Sequence, residues 1–374
     1  MRVAVVNPTY NEAENIERLI REVQAVGEGS GHEVHQLIVD DNSPDRTGEI
    51  VKSLQKKYKY LSLITGPKQG LGAAYVRGFE YAMREMRADV LVQMDADFSH
   101  DPKDLPRLLR EIDAGADVVI GSRYIPGGSI PADWGWFRKL NSWGASVFAR
   151  YVAGLYKVHD VTTGYRAIRV KGVAEKVNWD RIFARGYSFQ LMSLYRLMQH
   201  TDKVKEIPIQ FIDRKLGVSK VGANATYLRD VLEFIRNAWL IRAKKTEILF
   251  KFLVVGASGV VVNAFAWRAL LEAFPLGLGT AQLIAGEAAV ITNFIFNNLW
   301  TFGERDTKHS LTSRFLQYNV TAYVSVLISA GVVELLGNYF GTAPRLRYLL
   351  VGIALGTIWN FAVSNWWIFK EKKS

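Results

Sequence analysis

From Phe315 to Val333, and again from Tyr348 to Phe369, the chain carries no formal charge. Either stretch, coiled as a helix, is long enough to cross a hydrocarbon core of about 30 Å. Inside a bilayer no water satisfies the backbone, so such segments have to be helices. Phe252 to Trp267 and roughly Thr280 to Phe302 complete two hairpins, although the second carries Glu287, a costly residue at mid-span that must face protein or a polar path. Four spans are therefore expected, at about 250–273, 280–302, 315–337 and 348–369. Ahead of them, Tyr227 to Ile248 places Leu228, Val231, Leu232, Ile235, Ala238 and Trp239 against Arg229, Arg236 and Arg242, the pattern of a helix lying among lipid headgroups.

With four spans, Lys244, Lys245, Lys251, Arg305, Lys308, Arg314, Lys370, Lys372 and Lys373 fall on one side and Arg345 and Arg347 on the other. The excess of cations puts both termini and the N-terminal unit in the cytoplasm of a multi-pass membrane protein. No secretory signal is read at the start, because Met1 to Val6 is too short for an apolar signal core. Cysteine is absent, which excludes disulfides, thiolate metal sites and a cysteine nucleophile. Lys and Arg outnumber Asp and Glu 47 to 36, for a formal charge of +11, which suits partners bearing phosphate. Nucleic acid is set aside as a partner, because the basic residues flank spans instead of forming a soluble stripe.

Residues 1 to about 125 are different material. Arg2 to Val6, Gln36 to Asp40, Leu61 to Thr65, Val90 to Asp95 and Asp117 to Gly121 are short apolar runs suited to strands. Glu12 to Ala25, Arg46 to Lys57, Leu71 to Met86 and Pro102 to Ala114 have helical periodicity between them. That alternation predicts a mostly parallel sheet covered on both faces, with ligands bound beyond the strands' C-terminal ends. One such end reads Val92-Gln93-Met94-Asp95-Ala96-Asp97. If the run stays extended, Asp95 and Asp97 point to one side and can share a hard cation, Mg²⁺ or Mn²⁺, that also holds phosphate. The alternative is a strand-end cap or Asx turn.

Pro8-Thr9-Tyr10-Asn11-Glu12, Val39-Asp40-Asp41-Asn42-Ser43-Pro44-Asp45, Gly70-Leu71-Gly72, Met94 to His100, Gly121-Ser122-Arg123-Tyr124 and Arg214 to Lys220 occur in that order. Together, over roughly residues 1–240, they resemble the motif set of inverting family-2 glycosyltransferases with a GT-A fold. Within that family they are most similar to the polyprenyl-phosphate mannosyltransferases of the dolichol-phosphate mannose synthase type. The resemblance implies a Rossmann-like α/β GT-A domain over 1–226, interfacial helices over 227–248, and an all-α transmembrane domain over 249–374. Asn293, Asn297 and Asn298 in the last part resemble the GtrA-like four-helix domain, associated with anchoring or moving lipid-linked sugars. The implied reaction moves mannose from GDP-mannose to dolichyl or another polyprenyl phosphate. UDP-glucose as donor, or a lipid translocase whose N-terminal unit only senses nucleotide, are the rival readings.

By the same resemblance Pro8, Tyr10, Glu12 and Asp40 belong to the nucleotide pocket, and Asp95, Asp97 and Ser99 to the metal, with Asp97 nearest the reacting phosphate. Glu12 is equally well placed as a first-turn helix acid. Gly70 and Gly72 either let backbone approach a ligand or break the chain before a helix, and Gln93 is read as structural. Arg123, Arg138 and Ser142 are implied to hold the acceptor phosphate. Arg138 and Ser142 share a helix face four residues apart, among aromatics that also suit an interfacial helix. Gln190, on a helix read from Ser188 to Leu197, is the candidate for a sugar hydroxyl. A strand from Lys205 to Phe211 leads into cations around a Gly-Ser pair. Arg214 and Lys220 there belong either to a lid over the diphosphate or to a basic surface loop. The sequence leaves the oligomeric state open.

Overall fold

A computed structural model of the chain describes residues 1–182, 186–213, 225–341 and 345–370. It divides into two compact units, Met1–Arg242 and Ala243–Ser374. In the first, β1 (Arg2–Thr9), α1 (Ala13–Glu28), β2 (Glu33–Asp40), α2 (Thr47–Leu54), β3 (Leu61–Thr65), α3 (Leu71–Arg84) and β4 (Val90–Gln93) follow in the expected alternation. After them come α4 (Leu105–Asp113), β5 (Val118–Ser122), α5 (Trp136–Val152), β6 (Arg166–Arg169), α6 (Gly186–Leu197) and β7 (Val204–Pro208).

The strands make one seven-stranded sheet in the order β3-β2-β1-β4-β6-β5-β7. Only β6 runs against its neighbours, pairing antiparallel with β4 and β5. Alternation along the strands sends Ala4, Val6, Leu37, Val39 and Leu91 to a core shared with α3 and α6. Val3, Val5, Ile38, Val90 and Val92 go to the opposite face, against α1 and α4. The α1 side of that core is Ile16, Leu19, Ile20 and Val23, a helical stripe of large apolar residues. On the other face α3 lies close to the sheet because Gly78 has no side chain: a Cβ there would stand 2.5 Å from Val6 Cγ1 and 2.9 Å from Val39 Cγ2.

The strand read as Val90 to Asp95 stops at Gln93, so both acids lie in the turn beyond it. The reason is local: Asn7 Nδ2 donates to the Met94 carbonyl, and Phe98 takes a left-handed φ of 60°, so the chain leaves the sheet plane. The strand read as Lys205 to Phe211 is likewise shorter, ending at Pro208.

One helix, α7 (Ala225–Ala273), contains both the expected interfacial helix and the first expected span, since no proline interrupts it. Within the first unit Phe234, Ala238 and Ile241 of α7 are buried in the core, while Leu228, Leu232, Ile235 and Trp239 stay exposed along another stripe.

The second unit continues with α8 (Leu278–Phe296), α9 (Leu311–Phe340) and α10 (Arg345–Val363). Three helical stretches among the described residues are long and apolar enough to cross a membrane: Tyr227–Ala273, Leu278–Thr301 and Leu311–Phe340. The fourth expected span falls on α10, whose start carries Arg345 and Arg347. Each of α8 and α10 ends in a π-helical turn, Asn297–Thr301 and Ser364–Ile368. Phe302 and Phe369, just past those turns, stack with centroids 4.4 Å apart and planes 9° apart. Glu287 is half-buried in α8.

Candidate active site

The sheet register brings the motif loops to one edge. Thr9, Asp40 and Thr65 end β1, β2 and β3 in one row, and Gln93 ends β4 beside Val6. Strand order reverses between β1 and β4, so a crevice opens there.

On the β1–β2 side, Asp40 is buried and accepts from the Thr9 hydroxyl at 2.9 Å and from the Ser43 amide at 2.9 Å. Its neighbour Asp41 pairs with Arg77 at 2.6 Å. Burial pushes the Asp41 carboxyl above its ordinary value, and Arg77 offsets that only in part. Pro8 pairs with Val39 in the ladder, and the Lys68 ammonium sits 3.3 Å from the centroid of the Tyr10 ring. Glu12 stands at the N-cap of α1 and accepts from the Asn15 side chain at 2.8 Å.

Asp95 and Asp97 are half-exposed beyond β4. The Tyr75 hydroxyl donates to Asp95 Oδ1 at 2.8 Å, and the Asp95 amide donates to His100 Nδ1 at 3.1 Å. Asp97 does form an Asx turn: its Oδ1 accepts from the Ser99 amide at 3.1 Å and from the Ser99 hydroxyl at 2.6 Å. Turn and acid pair coexist, because the Asx bond leaves lone pairs over. Burial lowers the His100 pKa against the pull of Asp95 and Asp97, consistent with a neutral ring accepting at Nδ1. Burial beside the same acids raises the Tyr75 hydroxyl well above its usual value, so it remains a donor.

The donor set fits a hard cation. Two carboxylates and a serine hydroxyl supply oxygen only, and Asp95 makes no second carboxylate hydrogen bond among the described residues. No group of three or more His, Cys, Asp or Glu forms a complete cage among the described residues. Magnesium-type sites are commonly built this way, with one or two carboxylates and the rest of the shell from phosphate and water. Gly164 opens the same corner: a Cβ there would lie 3.1 Å from Gln190 Nε2, 3.3 Å from His100 Cε1 and 3.6 Å from Asp95 Oδ1. Gln190 Oε1 accepts from Gln93 at 2.7 Å, which brings α6 to the acids.

The expected phosphate-binding arginines are both engaged with carboxylates. Arg123 is buried and forks onto fully buried Asp160 at 2.7 and 2.8 Å, with Thr162 at 2.8 Å. Burial pushes the Asp160 carboxyl up, but the Arg123 charge and its hydrogen bonds outweigh that and hold it below the ordinary range. Arg138 forks onto Asp213 at 2.8 and 3.1 Å and lies 3.8 Å from the centre of the Trp134 ring. Ser142 accepts from the Tyr124 hydroxyl at 2.6 Å. Phe211 ties these groups to the acids: its ring contacts His100 at 5.9 Å and Trp134 at 5.6 Å, and the Arg123 guanidinium lies 5.2 Å from its centroid. Arg214 and Lys220 lie outside the described residues.

Tyr75 lies outside every motif, and the pairings of Asp160 with Arg123 and of Asp213 with Arg138 are not marked in the sequence, because each joins partners far apart along the chain.

An open α/β sheet binds its ligand in the crevice at the switch point, and here that crevice holds an acid pair with two arginine forks nearby, groups suited to a cation and to phosphate. The pattern of glycosyl transferase family 2 matches residues 4–177, and that of the GtrA/DPMS transmembrane domain matches residues 251–369. Dolichol-phosphate mannosyltransferase from Pyrococcus furiosus is 33% identical over 370 residues, covering 97% of each chain. Polyprenol monophosphomannose synthase from Mycolicibacterium smegmatis is 41% identical over 225 residues, 60% of this chain and 82% of its own. Undecaprenyl-phosphate mannosyltransferase from Micrococcus luteus is 40% identical over 224 residues, 59% of this chain and 88% of its own. The chain thus belongs to glycosyl transferase family 2, in the dolichol-phosphate mannosyltransferase type that carries a GtrA/DPMS transmembrane domain. It is a membrane protein.

Proposed function

We propose that the protein transfers mannose from GDP-mannose to dolichyl or another polyprenyl phosphate, giving polyprenyl-phosphate β-mannose and GDP with inversion at the anomeric carbon. The observation that carries this reading is the half-exposed Asp95–Asp97 pair at the switch point, linked through His100 and Phe211 to Arg123 and to the Trp134–Arg138 stack. The names of the relatives, above all the one matched along its whole length, supply the sugar and the lipid.

In this reading Pro8, Tyr10, Glu12 and Asp40 hold the nucleotide, and Gln190 meets the sugar. Asp95, Asp97 and Ser99 would hold Mg²⁺ or Mn²⁺, which when bound neutralises charge on the departing diphosphate. Arg123, Arg138 and Ser142 orient the acceptor phosphate for in-line attack. That phosphate is already ionised near neutral pH, so the chain supplies position and electrostatics and needs no strong base. Arg214 and Lys220 are assigned to the donor diphosphate. Trp136, Phe137, Leu140 and Trp143 are exposed on α5 around Arg138, which suits an acceptor presented from a bilayer. Four spans, with both termini and the transferase unit cytoplasmic, complete the reading.

The test incubates membranes containing the full chain with labelled GDP-mannose or UDP-glucose, with and without Mn²⁺ or Mg²⁺, and identifies the lipid product. A metal-dependent mannolipid from GDP-mannose, lost in a folded Asp97→Ala variant, is expected. A glucolipid made only from UDP-glucose replaces the donor. Nucleotide binding without any glycolipid replaces the enzyme with a translocase.

A further inference from the structure

Tyr75 sits in α3, apart from the loops assigned to substrate or metal, and its side chain is fully buried. Its ring lies nearly parallel to Phe189 of α6, 4° between planes at 5.7 Å, and packs at 5.7 Å against Phe79. Packing on two sides fixes the ring, and therefore the direction of the hydroxyl. That hydroxyl donates to Asp95 Oδ1 at 2.8 Å.

Asp95 needs such a support. It lies past the last residue of β4, so the sheet ladder does not hold it. His100 Nδ1 accepts from its backbone amide at 3.1 Å and fixes the main chain. The carboxylate still has freedom about its terminal bond, and repulsion from Asp97 favours turning away. A neutral donor on Oδ1 removes that freedom without competing for the charge.

We propose that Tyr75 is a positioning residue for the metal: by holding Asp95 Oδ1 it presents the other carboxylate oxygen to the cation. This rests on the metal-dependent reading above. Outer hydrogen bonds of this kind orient carboxylate ligands, and their loss typically weakens metal affinity by about 10–100-fold. A buried tyrosine with a merely structural hydroxyl would instead cost stability alone.

The test is Tyr75→Phe in the full-length protein in detergent, which keeps both ring contacts. Mn²⁺ binding in the presence of GDP is measured by the paramagnetic signal of free Mn²⁺, alongside thermal unfolding. The expected result is a rise in the Mn²⁺ dissociation constant of about 10–100-fold. The Mn²⁺ concentration for half-maximal turnover rises in parallel, while turnover at saturating Mn²⁺ stays near wild type. Equal Mn²⁺ affinity in Tyr75→Phe and wild type, with binding lost in Asp97→Ala, overturns the role of Tyr75 and leaves the metal site standing. Absence of Asp97-dependent Mn²⁺ binding in the wild type overturns the metal reading and this inference with it. Should Tyr75→Phe unfold, 3-fluorotyrosine placed at position 75 alone gives the second measurement: a more acidic hydroxyl there must change Mn²⁺ affinity, and no change overturns the proposal.

Discussion

Arg123 and Arg138 are assigned to one phosphate by resemblance, yet their forks differ in depth. Arg123 and Asp160 are 6% and 0% exposed, whereas Arg138 and Asp213 are 29% and 32% exposed. Removing one member of a buried pair strands the other charge, so Asp160→Asn is expected to cost about 3–5 kcal/mol near neutral pH. Asp160 has its folded pKa depressed, so its contribution is present above the unfolded value near about 4 and is lost as pH falls through the folded one. Denaturation midpoints of wild type and Asp160→Asn should therefore begin to approach one another as pH falls below about 4, and meet only below the depressed folded value. Arg138 is held more loosely, and under the proposed function an acceptor phosphate would have to displace Asp213. In Asp213→Asn the KM for polyprenyl phosphate should fall several-fold with kcat little changed, in steady-state assays with saturating donor. The sequence singles out both arginines, Arg123 in a motif and Arg138 by its helical spacing from Ser142. It does not mark their carboxylate partners as such, since they lie 37 and 75 positions away and no local spacing links them.

At the scale of elements, helices α1 to α4 and the four parallel strands β1 to β4 follow from periodicity alone, because each buries a face that its own residues define. Strand β6 was missed: it has four residues with arginine at both ends, and only its neighbours β4 and β5 make it a strand. The close seating of α3 depends on Gly78. Gly78→Ala should lower stability by about 1–3 kcal/mol, as overpacking does, and should shift Tyr75 along with the helix. Thermal unfolding together with Mn²⁺ titration checks both effects. A repeat in the second unit also went unread: Lys251-Phe252-Leu253 and Asn293-Phe294 match Arg314-Phe315-Leu316 and Asn360-Phe361. Its ring contacts are reciprocal, Phe252 with Phe361 at 5.3 Å and Phe294 with Phe315 at 5.2 Å. In an apolar helix the hydrophobic pattern that would mark such faces is faint, so the repeat emerges from contacts.

At the scale of the whole molecule, the distribution of Lys and Arg carries a prediction about topology. Reporter fusions at either terminus should stay on the cytoplasmic side, and a reporter between α9 and α10, beside Arg345 and Arg347, should reach the other side. Termini labelled on opposite sides would remove the four-span arrangement, and both termini labelled on the far side would reverse its orientation. The division into a charged α/β unit and an apolar helical one, and the acid pair just beyond β4, were written in the chain order itself. Those properties depend on composition and short-range spacing, which a linear sequence displays directly. Which carboxylate fills which arginine fork, which tyrosine steadies Asp95, and which aromatic rings meet across the membrane helices were decided only on folding, because each of these contacts joins side chains from segments far apart in the sequence.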